Sequence, residues 1–304
     1  MINLEASATI RAILIAIAVL LSGYESSASS WHYQDEEHWP QGCKEGKHQS
    51  PIALNARDAT LIDFEPFSLN GYGESVTAVL KNNGHSAEIR PKMSGDKPSI
   101  SGGGFNHTYK LDHLHFHWQS EHVIDRYRFP LELHLVHYAK EFGNLSAALQ
   151  HPGGIAVLAV MFDLSPDDDA EFEPLVSIID TLKDKVGQPV NLTNFVIKNF
   201  IPRNVAGYYR YDGSLTTPAC NEGVIWTVFT NTIPISKEQV KVFDEMRTED
   251  HKILKQNYRS LQSLNERKLY LKRSPLRDNF INSATTHSIS VTLLYSLISF
   301  IVLY

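Results

Sequence analysis

Two histidine-rich runs constrain the fold of this chain more than any other feature of its sequence. The first run, residues 111–118, has the composition of a β-strand and carries histidine at every second position. Because side chains alternate between the two faces of a strand, these histidines project to one side. They are His113, His115 and His117. In the second run, residues 131–138, Glu132 and His134 share one face. Two paired strands of this kind can present two histidines from one strand and a third from its neighbour.

The pattern predicts a metal centre. Imidazole is the commonest metal ligand in proteins, and three neutral imidazoles with an open fourth position are typical of catalytic zinc sites. Glu132 can accept the second N–H of His134 and so fix its tautomer. For any one of these histidines, the alternative is an ordinary histidine of the core. A cupin-type iron or manganese site shares the spacing from His115 to Glu121, but the glycine and the later histidine motif of that site are missing.

The rest of the sequence favours a single, mainly β domain. Strand-like runs rich in aromatic and β-branched residues are separated by turn signals such as Asn83-Gly84. Apolar residues at helical spacing predict a helix over 169–185. Ser236 and Gln239 form the capping box of a second predicted helix over 236–247. Since strands and helices do not alternate regularly, we expect a mostly antiparallel sheet. Besides the two histidine-rich runs, the predicted strands are Ile155 to Leu164 and Val224 to Thr230.

Both ends of the chain have the features of processing signals. Residues 1–28 combine a charged start, a short apolar run and small residues, which is the layout of a secretory signal peptide. Residues 276–304 contain small residues, a polar spacer and an apolar tail, in the order of a glycosylphosphatidylinositol (GPI) anchor signal that is removed after about Asn282 or Ser283. The alternative is a single-pass membrane helix without a cytoplasmic tail. We therefore expect a mature domain of residues 31–275 at the extracellular face of the plasma membrane.

Charge and cysteine content fit that location. The formal net charge is −6 and there is no run of Lys or Arg, so we expect no nucleic-acid partner. Cys43 and Cys220 are the only cysteines. In an oxidising compartment such a pair is most simply a disulfide, with two buried free thiols as the alternative. Three sequons are candidate glycosylation sites: Asn106, Asn144 and Asn191.

Two further segments carry polar side chains suited to a site. The turn Lys81-Asn-Asn-Gly-His85 places His85 where it can be exposed, although an ordinary turn residue would have the same setting. The segment Ser214-Leu-Thr-Thr-Pro-Ala-Cys220 brings the hydroxyls of Thr216 and Thr217 beside a strand. Both hydroxyls are alternatively simple turn formers.

Together these segments resemble the α-class carbonic anhydrases, from Trp31 to about Arg273. The shared motifs, in the order of the family, are Gln49-Ser-Pro-Ile52, Asn82-Asn-Gly-His85, His115-Phe-His-Trp118, Ser120-Glu-His122, Glu132-Leu-His-Leu-Val-His137 and Ser214-Leu-Thr-Thr-Pro218. Asn257-Tyr-Arg259, followed by Asn265, is similar to the C-terminal region of the family. The resemblance implies one domain around a large, twisted, mostly antiparallel sheet of about ten strands with a few peripheral helices.

The resemblance also implies a role for each candidate residue. The Zn²⁺ ligands would be His115, His117 and His134. His85 would shuttle the proton, Glu121 and Thr216 would orient the hydroxide that attacks carbon dioxide, and Thr217 would lie beside the substrate. The apolar wall that holds carbon dioxide would consist of Val136, Val157, Leu215, Val224 and Trp226. Cys43 and Cys220 resemble the disulfide of the extracellular members.

Three features depart from the family pattern: His113, a short loop between Trp118 and Glu121, and Ala219 in place of a second proline. His113 stands where the family usually has a glutamine that accepts a hydrogen bond from the first zinc ligand. A neutral imidazole can accept that bond only in the right tautomer.

Taken as a whole, the resemblance implies a lipid-anchored zinc enzyme that interconverts carbon dioxide and bicarbonate. The alternative is a non-catalytic carbonic-anhydrase-like surface module, but such relatives typically lose a ligand histidine, and here all three are present.

Overall fold

A mixed sheet of 13 strands organises the chain, together with a small sheet of three strands. The computed structural model describes residues 31–92 and 95–274, and those from Tyr33 onward belong to one compact unit. The strands are β1 Ala53–Leu54, β2 Thr60–Leu61, β3 Phe67–Asn70, β4 Ser75–Asn82, β5 Ala87–Lys92, β6 Ser99–Gly102, β7 Tyr109–Trp118, β8 Val123–Ile124, β9 Tyr127–Arg128, β10 Leu131–Ala139, β11 Ile155–Leu164, β12 Pro189–Val196, β13 Tyr208–Ser214, β14 Glu222–Phe229, β15 Ile233–Ile235 and β16 Tyr270–Lys272.

Ten of these strands form one continuous path, in the order β12-β4-β5-β7-β10-β11-β14-β13-β16-β2. All neighbours along the path are antiparallel except β11 with β14 and β16 with β2. Strands β3, β6 and β15 pair with the sheet off this path. The predicted mainly β fold with a large, mostly antiparallel sheet is confirmed, and the sheet is larger than the sequence indicates because short strands extend it.

The centre of the sheet is buried on both faces. Every residue of β10 is buried, and so is all of β11 except its last two residues. Such strands carry apolar residues on both faces, which is why alternation in this region is seen mainly in the placement of histidines and carboxylates. A buried centre of this kind restricts the side chains that β7 and β10 carry.

The described residues contain four short α-helices: α1 Gln41–Glu45, α2 Leu145–Ala148, α3 Glu173–Leu182 and α4 Lys237–Asp244. Three segments are 3-10 helices: Tyr33–His38, Lys140–Phe142 and Ile197–Phe200. The capping box of α4 is confirmed, since the Ser236 hydroxyl accepts from the Gln239 N–H and the Gln239 side chain accepts from the Ser236 N–H.

Helix α3 is shorter than the predicted 169–185. The Asp169 carboxylate accepts the N–H groups of Glu171 and Phe172, so it closes a turn ahead of the helix. Pro174 fits only in the first helical turn, which places the start at Glu173. The apolar spacing continues through the capping turn, and for that reason spacing alone overestimates the length.

The predicted processing signals, residues 1–28 and 276–304, lie outside the described residues. Within the part of the chain that is described, no helix combines the length and the apolar character needed to cross a bilayer.

Candidate metal centre

The antiparallel pairing of β7 with β10 brings three histidines together. His134 lies opposite His115, and Glu132 lies opposite His117. One ring nitrogen from each of His115, His117 and His134 lies within 4.8 Å of the other two. The strand register alone therefore produces the predicted group of three imidazoles.

Hydrogen bonds on the far side of two rings show which nitrogens remain for a metal. The Nε2 of His134 lies 2.7 Å from Glu132 Oε1, which leaves Nδ1. The Nδ1 of His117 lies 2.6 Å from the Asn257 carbonyl, which leaves Nε2. That Nε2 is buried and has no hydrogen-bond partner among residues 31–92 and 95–274. The His134 Nδ1 and the His115 Nε2 lie 3.3 Å apart, so one nitrogen from each ring faces the same point. Three converging imidazole nitrogens are what a tetrahedral zinc ion requires, so the residues present fit the metal.

Burial keeps the imidazoles of His115 and His134 neutral. It lowers the pKa of His115 well below the ordinary value and the pKa of His134 to about 3, and the neighbouring imidazole of His117 adds to both effects. At neutral pH both rings therefore have a lone pair available for a metal, which is the state that ligation demands.

Glu132 is the centre of a buried network behind His134. Its Oε1 lies 2.7 Å from His134 Nε2 and 2.7 Å from His122 Nδ1, and its Oε2 accepts the His122 N–H at 2.8 Å. The His122 Nε2 in turn lies 2.7 Å from the Tyr211 hydroxyl, which donates to Ser50. Burial by itself raises the pKa of the Glu132 carboxyl, but His122 and His134 outweigh it and hold that pKa well below its ordinary value. An ionised Glu132 accepts from both histidines and fixes their tautomers.

Glu121 lies next to the ligand nitrogens. Its Oε2 is 3.6 Å from His117 Nε2 and 4.0 Å from His134 Nδ1, while Oε1 accepts the Arg259 N–H at 2.9 Å. Burial raises the pKa of this carboxyl, and His117, the Thr216 side chain and the Arg259 N–H offset part of that rise. Glu121 thus lies beside the candidate ligand nitrogens, and its pairing with Thr216 stays a prediction.

Comparison with known proteins settles the family. The model of the eukaryotic-type carbonic anhydrase family matches residues 28–273. The chain belongs to the α-class carbonic anhydrase family. Putative carbonic anhydrase 5 of Caenorhabditis elegans is 33% identical over 293 residues, covering 92% of this chain and 94% of that protein. Putative carbonic anhydrase 3 of the same organism is 33% identical over 250 residues, covering 79% and 96%. Carbonic anhydrase 15 of Mus musculus is 34% identical over 257 residues, covering 76% and 78%.

Asn257 and Arg259 hold this carbonic anhydrase site together from far along the chain. The Asn257 side chain donates to the carbonyls of His85 and Phe116 and accepts the Trp118 N–H. The Arg259 guanidinium donates to Gln49 Oε1 and to the carbonyls of Ser50 and Cys43. Sequence reasoning noted this segment as part of the resemblance but gave it no role. The two polar residues themselves, in a C-terminal stretch with few apolar residues, are the one local feature that could have indicated this role.

The carbonic anhydrase shuttle candidate, His85, lies on the turn between β4 and β5. It is partly buried, and its backbone is held on both sides: the N–H donates to Asn83 Oδ1 at 3.0 Å and the carbonyl accepts from Asn257 Nδ2 at 3.0 Å. Gly84 has φ +85°, a left-handed conformation that suits glycine. The turn is therefore well defined, and the imidazole is carried at its end.

The residues of the predicted apolar wall belong to one hydrophobic cluster. Its buried members include Val136, Val157, Val224 and Trp226, and Leu215 packs against it partly exposed. Three apolar residues from α2 and its flank, which the sequence does not predict, are also part of this region. Ala148 belongs to the cluster, and Leu145 and Leu149 pack against it. Thr217 is partly buried, and its carbonyl accepts the Cys220 N–H at 2.8 Å.

The predicted disulfide is confirmed. Cys43 and Cys220 are bonded, and their Cα atoms are 5.1 Å apart. It connects α1 to the segment that carries Thr216 and Thr217. The sequon residues Asn106, Asn144 and Asn191 are all exposed, but Asn144 Oδ1 caps α2 through the Ala147 N–H and Asn191 Oδ1 accepts from Lys92. Their glycosylation stays a prediction.

His113 lies beside His115 in this carbonic anhydrase chain but forms no hydrogen bond with its Nδ1. The two rings stack with centroids 5.1 Å apart and planes inclined by 26°. The Nδ1 of His113 lies 2.8 Å from Asp112 Oδ2 instead. The predicted role of His113 beside the first zinc ligand therefore has no direct hydrogen bond to act through.

Proposed function

We propose that this chain is a catalytically active zinc enzyme that reversibly hydrates carbon dioxide to bicarbonate and a proton. The observation that carries the proposal is the convergence of three imidazoles with Glu121 beside them. Family membership supports carbonic anhydrase chemistry in general. The zinc requirement and the activity of this chain are the parts we propose.

The residues of the site divide the work between them. His115, His117 and His134 would hold zinc, and the ion would supply hydroxide at neutral pH, which is the long-established property of this enzyme family. Ionised Glu121 can only accept a hydrogen bond, so it receives the proton of the Thr216 hydroxyl. The Thr216 oxygen is then left to accept from the nucleophile, and this aims a lone pair of the nucleophile at the substrate carbon. Carbon dioxide has no charge, so the apolar wall around Val136 and Trp226 can hold it without displacing polar groups.

Each hydration leaves a proton that must leave the site. His85 is the imidazole we assign to this step, because an unperturbed imidazole titrates near neutral pH and can accept and release a proton in turn. Its turn fixes the backbone while the ring is partly exposed, which suits transfer between the site and solvent.

Zinc analysis together with a carbon dioxide hydration assay tests the proposal. We expect about one zinc per chain in the wild type, and loss of both zinc and hydration in His134→Ala, because two histidines from one strand hold the ion poorly. His107→Ala is the matched control. His107 is a partly exposed histidine that pairs with Glu141 at 3.0 Å, so its removal leaves the candidate metal ligands in place. Full hydration by zinc-depleted His134→Ala would rule out the assignment, and zinc binding without hydration in the wild type would favour the non-catalytic surface module.

We further propose that the enzyme is held at the outer face of the plasma membrane by a GPI anchor. The order of small residues, spacer and apolar tail in residues 276–304 supports this. A bacterial phosphatidylinositol-specific phospholipase should release the protein from intact cells. Retention on the membrane, with the tail detected by mass spectrometry, would instead favour the single-pass helix.

A further inference from the structure

The three candidate zinc ligands differ in what holds the ring nitrogen that points away from the metal. His117 donates to the Asn257 carbonyl at 2.6 Å and His134 to Glu132 at 2.7 Å. The Nδ1 of His115 is buried and has no hydrogen-bond partner among residues 31–92 and 95–274. Histidine ligands almost always donate this second N–H to a carboxylate, a carbonyl or water, because the bond fixes the ring and raises its basicity. His115 is the exception in this site.

His113 is the neighbouring ring that is not itself a candidate ligand, but it does not accept from His115. A hydrogen bond to or from an imidazole nitrogen lies in the plane of the ring. The centroids of the His113 and His115 rings are 5.1 Å apart and their planes are inclined by 26°, yet no hydrogen bond joins them, since His115 Nδ1 has no partner among residues 31–92 and 95–274.

Asp112 holds His113 in this orientation. Its Oδ2 lies 2.8 Å from His113 Nδ1 and also accepts from Arg90 at 2.7 Å. Arg90 donates in addition to Glu88 at 2.7 Å. The His113 ring is thus tied to a carboxylate that a second ion pair fixes, and turning it toward His115 breaks this connection.

We propose that Asp112 and Arg90 withhold His113 from His115, and that the resulting lack of an acceptor makes zinc leave this site faster than it leaves a site with three supported ligands. The inference rests on the zinc site proposed above. His113 then occupies the position of an acceptor but does not accept a hydrogen bond from His115. Supporting partners of zinc-ligating histidines typically change metal affinity by about 10 to 100-fold, which sets the size of the effect.

Zinc release from the zinc-loaded full chain in detergent, with dipicolinate in excess, measures this directly. We expect His113→Ala to release zinc within about two-fold of the wild-type rate, because no bond to His115 is lost. We expect His113→Gln to release zinc at least about ten-fold more slowly, because a flexible amide oxygen can accept the His115 Nδ1–H. Glu132→Gln is the positive control for weakened support and should release zinc faster. Thermal unfolding of the zinc-free proteins should be equal for wild type and the two His113 variants.

Two results would overturn the inference. A His113→Ala rate at least ten-fold above wild type would mean that His113 supports His115 after all, and a His113→Gln rate equal to wild type would mean that the missing acceptor does not limit retention. Asp112→Ala is a second variant, since it frees the His113 ring to turn; slower release is expected, and an unchanged rate contradicts the role given to Asp112. A wild-type protein that binds no zinc would instead refute the proposed function.

Discussion

The floor and the rim of the site are held in place by different means. The floor consists of side chains that are no more than 1% exposed: His117, Glu121, Glu132 and His134. The rim consists of partly exposed side chains: His85, His113 and Thr217. On the floor, Glu132 accepts from His122 and His134, and Glu121 accepts from Arg259, 138 positions along the chain. On the rim, His113 bonds to the adjacent Asp112 and the His85 N–H donates to Asn83, with one long-range bond from Asn257 to the His85 carbonyl. The difference implies that floor substitutions change stability and metal binding together, while rim substitutions change turnover or metal exchange with the fold intact.

Removing the carboxylate of Glu132 should have the largest effect on stability. Glu132→Ala leaves the buried donors of His122 and His134 without an acceptor, and breaking a buried charged network of this kind costs about 3 to 5 kcal/mol. Denaturant unfolding should show this loss, with weaker zinc retention. Glu141→Ala, which removes a half-exposed carboxylate paired with His107, is the control and should change the free energy of unfolding by less than about 0.5 kcal/mol. Equal small losses in both variants would break the comparison.

The pH dependence of the zinc-free protein should show an intermediate effect from His137. Burial lowers the pKa of this imidazole to about 3, with the Ala156 carbonyl and the Tyr72 hydroxyl as its partners. In the unfolded chain the pKa is about 6.5, so between these values the unfolded state binds more protons and stability falls as the pH falls. From pH 7 to pH 5 the contribution of His137 is a loss of about 2 kcal/mol.

The variant His137→Gln isolates this contribution, because its amide can still contact both partners but does not titrate. The other buried histidines remain in both proteins and cancel in the difference. We expect the free energy of unfolding of the variant to fall by about 2 kcal/mol less than that of the wild type over the same range. Parallel pH profiles for the two proteins would show that His137 is protonated in the folded state.

His85→Ala should have the smallest effect on the fold and a selective effect on turnover. The backbone bonds of the turn do not involve the His85 ring, so the free energy of unfolding and the zinc content should be unchanged. At saturating substrate in weak buffer kcat should fall by about ten-fold or more, while kcat/KM stays constant, because proton export follows the attack on carbon dioxide. Added imidazole should restore much of the lost rate. Unchanged kcat in weak buffer would make His85 an ordinary turn residue.

The sequence predicts the floor better than the rim because strand alternation and register are local rules. Alternation in residues 111–118 and 131–138 is sufficient to bring His115 and His134 together. It does not predict the register shift between Val136 and His137. Nor does it predict that His122 shares Glu132 with His134, since nothing local separates His122 from a surface histidine.

The long-range partners could not be derived from pattern at all. Asn257 and Arg259 act through backbone and side-chain bonds to residues more than 130 positions away, and such bonds leave no periodicity in the sequence. The tie between His113 and Asp112 is local, but two adjacent residues on a strand normally face opposite sides, so alternation argues against it. Predictions from pattern fail in this chain where a side chain crosses to a partner that alternation does not place beside it.

The position of Arg259 also has a consequence for biosynthesis. Its backbone N–H holds Glu121, and its guanidinium reaches the carbonyl of Cys43, 216 residues earlier in the chain. A ribosome that delivers the chain from its N-terminus releases every histidine ligand long before it releases this arginine. The nascent chain can therefore pair its strands and gather its imidazoles while the orienting carboxylate still lacks its backbone donor. Native assembly of the site is for that reason one of the last events of synthesis, and a truncation just ahead of residue 257 would leave a sheet that carries the ligands but cannot complete the enzyme.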